Sequence, residues 1–288
     1  MAVKIAATYE SVRLPLLLQA VNWIGTAGQV TWRRPIVSLS PSSLWAAAER
    51  RSGLHREEDP TSQESLERLV RSVEEEADLT TVGRYLAREI LVLALANRLL
   101  IQRTLRECPE ILETCLDQPL FVAGFPRTGT TLLHRLLALD DAVRAPALWE
   151  FLQPAPPPMP AISPSDKRVW ELIAKSRPFA KMLSHFARIH RFDPLSPDEC
   201  SALRNNTLIH EGFLFNGFIP AYIGWLRGLD SQTILENFQQ YRSQVQILAY
   251  HFPRRRWVSK NPVHCLHLDS LLSVRATTVA TPHTSPHL

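Results

Sequence analysis

A short apolar run that leads into a glycine-rich turn constrains the fold of this chain more than any other segment. The run PLFVAGF, 119–125, is continuous and is entered by a proline, which is typical of a buried parallel strand. Apolar residues then recur at helical spacing in TTLLHRLLALDD, 130–141. A strand, a glycine turn and a helix in this order form the context that a phosphate-binding loop requires. We therefore expect an α/β domain with a parallel sheet.

The turn, which reads GFPRTGTT, keeps the spacing of a nucleotide-binding loop but lacks one of its charges. Gly124 and Gly129 fit the GxxxxGK[ST] pattern and Thr131 occupies its hydroxyl position, but Thr130 stands where the pattern has lysine. Backbone amides at a helix N-terminus remain, and these favour an anion. Arg127 supplies a cation from within the turn. The missing lysine argues against transfer of a nucleotide's γ-phosphate.

The segment FVAGFPRTGTTLLHRLL resembles the 5′-phosphosulfate loop of the sulfotransferase superfamily, in particular the bacterial-type branch whose loop reads PR[ST]GTT. The resemblance continues through RAPALWEFLQPAPPP and RWVSKNPVHCLHLDSLL, and spans residues 80–272. It implies a P-loop-type three-layer α/β fold, in which helices flank a central parallel sheet, with an N-terminal helical segment. It also implies transfer of a sulfuryl group from 3′-phosphoadenosine 5′-phosphosulfate (PAPS), the donor co-substrate, to a hydroxyl or amine acceptor without a metal.

By this resemblance the loop binds the donor through five residues, Arg127, Thr128, Gly129, Thr130 and Thr131.

Four side chains are expected to act in catalysis, because sulfuryl transfer needs a base for the acceptor proton and cations for the developing negative charge. Arg127 is one cation, and Lys260 is the other because related enzymes place a lysine at the end of the strand RWVSK. Glu150 is the first candidate for the base and His264 the second. Simpler interpretations stay open: a solvated or helix-capping carboxylate, an exposed lysine without a role, and a capping or surface histidine.

The chain divides into three predicted parts. Residues 1–110 form an N-terminal helical segment packed on the core, 111–272 an incomplete P-loop sulfotransferase domain, and 273–288 a disordered or aberrant tail. Apolar spacing predicts two amphipathic helices within 65–107. The tail begins with a serine and continues as VRATTVATPHTSPHL, in which the apolar residues follow neither helical nor strand spacing. The resemblance implies a further strand at this place, followed by an arginine and a serine that bind the donor's 3′-phosphate. We hypothesise a truncated or frameshifted C-terminus, which leaves activity open.

Composition limits the partners. The 27 arginines outnumber the 5 lysines but are scattered, with no basic stripe interleaved with aromatic residues, so we expect no nucleic acid partner. The four cysteines lack the spacing of a disulfide framework or zinc ribbon. The apolar run near Leu14 is too short to span a bilayer and lacks a signal peptide's basic start, so we expect a cytoplasmic protein, with a membrane-surface role for this segment as the minor alternative. Aromatic residues between Phe213 and Trp225 suggest a small hydrophobic acceptor, and the oligomeric state stays open.

Two other functions compete with sulfuryl transfer. The first is a P-loop kinase or nucleotide hydrolase, against which the missing lysine and the lack of an acidic magnesium site both argue. The second is a non-catalytic remnant of a sulfotransferase, for which the tail is the main support.

Overall fold

The structure is a computed structural model that describes residues 15–32, 35–57, 59–125, 128–160, 166–182 and 193–276. The α-helices of these residues are α1 Leu16–Trp32, α2 Pro41–Ser52, α3 Pro60–Glu76, α4 Thr81–Glu107, α5 Thr130–Leu137, α6 Leu148–Leu152, α7 Lys167–Met182, α8 Ser201–Asn205, α9 Pro220–Arg227, α10 Ser231–Ala249 and α11 Leu268–Ala276. The strands are β1 Leu120–Val122, β2 Val143–Arg144 and β3 Arg256–Lys260, and the 3₁₀ helices are Pro109–Glu113, Glu211–Asn216 and Pro262–Leu266.

The two long helices α3 and α4 occupy the segment in which apolar spacing predicts them, and both begin at a side-chain cap. Asp59 accepts a hydrogen bond from the Ser62 amide at 3.1 Å, and Thr80 accepts one from the Gly83 amide at 3.2 Å. Each cap satisfies a donor that a helix's first turn leaves without a partner. The N-terminal helices expected from the sequence are therefore present.

These helices share one apolar core with the segment around α9. The core joins residues of α2, α3 and α4 to residues between 208 and 226; its fully enclosed members include Leu44, Leu66, Leu69, Leu95, Leu208 and Ile219. Burial of this shared apolar surface, at about 25 cal/mol per Å², is what holds the N-terminal helices against the rest of the chain.

The three described strands form a parallel sheet in the order β1, β3, β2. β3 is central: Val122 of β1 lies opposite Lys260, and Val143 of β2 lies opposite Arg256. Trp257 of β3 packs into a second core with α10, whose residues include Phe238. The parallel sheet flanked by helices confirms the predicted P-loop-type α/β class.

The structure differs from the sequence-based expectations at both ends. Residues Leu16–Trp32 form a helix that the broken apolar run did not predict, and no helix among the described residues is long and apolar enough to cross a membrane. The segment Pro262–Leu266 is a 3₁₀ helix, and an α-helix follows it. That helix extends to Ala276, inside the predicted tail, and residues 277–288 lie outside the described part. The three-part domain division stays a prediction.

Candidate active site

The turn between β1 and α5 needs its two glycines for different reasons. Gly129 caps α5 with a φ of 85°, in the left-handed region that a side chain disfavours. A Cβ on Gly124 would lie 3.0 Å from Cγ2 of Thr130 and 3.3 Å from Oγ1 of Thr128. The Thr128 hydroxyl donates a hydrogen bond to the Phe125 carbonyl at 2.7 Å. Both glycines therefore let the backbone fold tightly in front of the helix.

The first amides of α5, those of Thr130 and Thr131, lie at the N-terminus of the helix. Within the described part of the chain, no residue is recorded as accepting a hydrogen bond from either of them. The Leu133 amide, one turn later, donates to the Gly129 carbonyl at 3.1 Å. Unpaired amides at the positive end of a helix favour an anion. Arg127 lies outside the described residues, so its place in the donor site stays a prediction.

Lys260 reaches this loop from the central strand. Its Nζ lies 3.1 Å from Oγ1 of Thr131 and 2.5 Å from Oε1 of Glu199. Its side chain is 3% exposed, so the interpretation of an exposed lysine without a role does not fit the structure. The loop therefore has a buried cation against its hydroxyl group, although the lysine of the nucleotide-binding pattern is missing.

Glu199 is a site residue that the sequence analysis missed. It pairs with Lys260 through a parallel bridge as well as through its carboxylate, and the Cys200 amide donates to the Lys260 carbonyl at 3.0 Å. The Glu199 side chain keeps 27% of its surface exposed. The only signal in the sequence was the acidic pair Asp198 and Glu199, since no spacing connects these residues to a lysine 61 positions later.

Glu150 lies in a setting that argues against the predicted role as base. Its carboxylate accepts hydrogen bonds from both terminal nitrogens of Arg144, with Nη1 at 3.1 Å, and from the Ala147 amide at 2.7 Å. The Glu150 and Arg144 side chains are only 5% and 8% exposed. Arg144 also donates to the Leu248 carbonyl at 3.4 Å. The arrangement matches a helix-capping carboxylate held in a buried ion pair, because its lone pairs are already engaged.

His264 is a core residue rather than a surface or capping one. It is fully enclosed, and its Nε2 lies 3.3 Å from Sγ of Cys200. Burial, with the positive charge of Arg204, lowers the pKa of His264 to about 3. His134, in α5, is also enclosed, and burial together with the charge of Lys260 lowers its pKa to about 4. Both rings are therefore neutral at physiological pH, and the enclosure of His264 argues against its role as second base.

A cavity of about 380 Å³ opens beside the pair of Lys260 and Glu199. Its apolar lining includes Ile90, Leu93, Ala94, Leu148 and Leu152. Its polar lining includes Asn97, Asp198, Glu199, His210 and Asn261. The volume is within the range of about 300–1,000 Å³ that is usual for small-molecule sites. Glu199 thus lines the cavity and also contacts Lys260, which lies against the loop.

The sequence profile of the family described as "Sulfotransferase family" matches residues 119–275, which are 157 of the 288 residues. This chain belongs to the sulfotransferase family. The match contains the loop, the three strands and Lys260, so the family resemblance expected from the loop sequence is confirmed.

Two crystal structures share the fold of this sulfotransferase-family chain. Sulfotransferase STF1 from Mycobacterium tuberculosis H37Rv (type1 form) is 29% identical with a TM-score of 0.71, and sulfotransferase STF9 from Mycobacterium avium is 25% identical with a TM-score of 0.73. Each comparison covers 84% of this chain but only 66% and 61% of the solved chains. The chain therefore spans less than two thirds of the length of either relative.

A shorter similarity is to a curated enzyme. The Omega-hydroxy-beta-dihydromenaquinone-9 sulfotransferase Stf3 of Mycobacterium bovis (strain ATCC BAA-935 / AF2122/97) is 53% identical over 38 residues, which are 13% of this chain and 10% of that protein. The protein of the same name from Mycobacterium tuberculosis (strain CDC 1551 / Oshkosh) matches equally. Within the described residues of the present chain, no group of three or more histidine, cysteine, aspartate or glutamate residues is placed to hold a metal ion.

Proposed function

We propose that this chain transfers a sulfuryl group from PAPS to an apolar alcohol. The observation that carries the proposal is the combination of a helix N-terminus at the glycine turn with the buried Nζ of Lys260, 3.1 Å from Oγ1 of Thr131. Backbone donors, a helix N-terminus and one cation suit the phosphosulfate group of the donor. The donor supplies the sulfuryl group, and the chain supplies its binding and orientation.

In this proposal the loop binds the 5′-phosphosulfate through the amides of Gly129, Thr130 and Thr131, with Arg127 as the second cation. Lys260 stabilises negative charge on the sulfuryl oxygens and on the oxygen that leaves, because its Nζ already contacts the loop. The acceptor oxygen forms the new bond to sulfur while the bond from sulfur to the phosphate oxygen breaks. The adenosine bisphosphate then leaves.

We propose Glu199 as the group that takes the acceptor proton. It lines the cavity, it is partly exposed, and its carboxylate contacts the lysine that faces the loop. Glu150 does not line the cavity, and three hydrogen bonds engage its carboxylate. A base must lie within hydrogen-bonding reach of the proton that it removes, and the position of Glu199 between cavity and loop supports this assignment.

The acceptor class follows from the cavity walls. Aliphatic side chains such as Ile90, Leu93 and Leu152 line the cavity together with carboxylates and amides. A molecule with an apolar body and one hydroxyl group would fit this mixed lining. The name of Stf3 gives it a hydroxylated dihydromenaquinone as acceptor, which is likewise an apolar alcohol. A cavity of about 380 Å³ would enclose only the reactive end of such a long molecule.

Calorimetric titration with 3′-phosphoadenosine 5′-phosphate, compared with ATP, tests the donor site before an acceptor is known. We expect Lys260→Ala to weaken binding by about 10-fold to 100-fold, the usual value of a hydrogen bond to a charged group. Lys167→Ala is the matched control, because Lys167 is exposed on α7. Preferred binding of ATP with magnesium-dependent hydrolysis would favour a kinase or hydrolase, and absent binding of both nucleotides would favour a non-catalytic remnant.

Transfer to a panel of aliphatic alcohols tests the base. We expect Glu199→Gln to lower kcat by about 10²-fold to 10⁴-fold, the usual contribution of a general base, with little change in nucleotide affinity. Glu236→Gln is the control, since Glu236 is exposed on α10. An unchanged kcat in the Glu199 variant would exclude it as the base without excluding the donor site.

A further inference from the structure

Helix α1 turns an apolar face toward solvent. Four large apolar side chains are exposed, Leu16 by 83%, Leu17 by 76%, Trp23 by 75% and Ile24 by 57%. At 3.6 residues per turn, these positions fall on one arc of about 120° around the helix. Surface helices of soluble proteins place their polar side chains outward, so this face has the opposite polarity.

The orientation of α1 is fixed by the face that packs on the protein. Gly25 is buried, and a Cβ there would lie 1.7 Å from Oγ1 of Thr81, so the two helices approach as closely as a glycine permits. On the same side, Oδ1 of Asn22 accepts a hydrogen bond from the Val82 amide at 2.9 Å. The polar contacts of α1 are therefore directed inward, and rotating the helix to hide its leucines would break them.

The charges around α1 favour an anionic partner. The helix itself contains no charged residue. Between residues 11 and 48 the sequence has three arginines, Arg13, Arg33 and Arg34, and no aspartate or glutamate. Two of the arginines directly follow the last residue of the helix in sequence. Apolar side chains and nearby basic residues are the two features through which a surface helix binds anionic lipid.

We propose that α1 docks the protein on the surface of a bilayer that contains anionic lipid. Leu16, Leu17 and Ile24 would enter the acyl boundary, and Trp23 would lie at the headgroup level, where its amphipathic ring is favoured. A helix of 17 residues that lies in the plane needs only one apolar face, so the argument against a spanning segment does not apply. The inference favours what the sequence left as the minor alternative and is independent of the proposed enzymatic function.

Co-sedimentation with vesicles tests the docking surface. The two preparations are phosphatidylcholine alone and phosphatidylcholine mixed with phosphatidylglycerol. We expect the full chain to bind the mixed vesicles more strongly, and added salt to reduce the difference. Trp23→Glu should weaken binding by about tenfold or more, because it places a charge on the inserted face. Trp170→Glu is the matched control, since Trp170 is 61% exposed on α7.

Circular dichroism and thermal unfolding must show that the variants are folded. If Trp23→Glu does not fold, Leu17→Ser on the same arc replaces it. The proposal is overturned if the wild-type chain binds neither preparation, or if the α1 variants bind as well as wild type. A third outcome also overturns it: the wild-type chain does not bind vesicles, but it forms a concentration-dependent dimer in sedimentation equilibrium that Trp23→Glu abolishes. The face of α1 would then pair with a second copy of the chain.

Discussion

Replacing Glu150 with glutamine should destabilise the fold, because the carboxylate neutralises a buried guanidinium. The Glu150 and Arg144 side chains are 5% and 8% exposed. The other recorded contacts of the Arg144 guanidinium are the Leu248 carbonyl at 3.4 Å and the Phe252 ring at 4.0 Å from its centre, and neither carries a negative charge. Breaking a buried ion pair by removing one partner costs about 3–5 kcal/mol. This is a large part of the roughly 5–15 kcal/mol by which a protein is stable.

Thermal unfolding followed by circular dichroism measures the effect. At about 2–4 °C per kcal/mol for a large domain, Glu150→Gln should lower Tm by about 6–20 °C. Glu107→Gln is the control, since Glu107 and its partner Arg103 are 57% and 52% exposed and such a pair contributes about 0–1 kcal/mol. The double replacement Arg144→Met with Glu150→Leu should recover most of the loss, because neither charge is then left unpaired.

One result would refute this reasoning. If Glu150→Gln unfolds at the wild-type temperature but loses sulfuryl transfer by orders of magnitude, the carboxylate acts in the reaction and the pair with Arg144 contributes little to the fold. The sequence-based choice of base would then be right, and Glu199 would lose its proposed role.

Two further predictions concern the buried histidines and the loop. Because burial holds the pKa of His134 at about 4 and that of His264 at about 3, below the ordinary 6.5, the unfolded chain takes up these protons first as the pH falls. The free energy of unfolding should therefore decrease below about pH 6.5, by at most about 1.4 kcal/mol per pH unit for each ring. Urea unfolding midpoints that stay constant down to about pH 5 would contradict this. Gly124→Ala should reduce affinity for 3′-phosphoadenosine 5′-phosphate by about tenfold, as the new Cβ would meet Thr130 at 3.0 Å and open the loop. Gly224→Ala is the control: no atom lies within 4 Å of the added Cβ, so the affinity for 3′-phosphoadenosine 5′-phosphate should stay unchanged.

The elements that local signals determine were predictable from the sequence. The β1 strand, the glycine turn and α5 follow from an apolar run, two glycines and helical spacing within a few residues. Asn261 is another such case: its side chain accepts a hydrogen bond from the Val263 amide at 3.0 Å, as expected of an N-cap before proline. Each of these signals lies next to the structure that it determines, so no distant contact is needed to interpret it.

The parts that depend on distant contacts were not predictable in the same way. Glu199 meets Lys260 only because its segment pairs with the end of β3. Glu150 follows β2 in the chain, as a base at the sheet edge would, but its carboxylate is paired with the guanidinium of Arg144. Which face of α1 is exposed follows only from the contact of Gly25 with Thr81, which identifies the inward face. In each case a residue's role depends on which partner the fold brings to it.

The register of the sheet explains why a cation lies beside the loop although the lysine of the nucleotide-binding pattern is missing. Val122, the last residue of β1, lies opposite Lys260, the last residue of β3, so the loop begins where the lysine side chain emerges. A slip of one residue would turn that side chain to the other face of the sheet. The cation is therefore positioned by backbone pairing, and the same pairing places Glu199 beside it at the cavity. One lysine thus contacts both the loop hydroxyl of Thr131 and the cavity carboxylate, and the proposed transfer between two bound substrates depends on this arrangement.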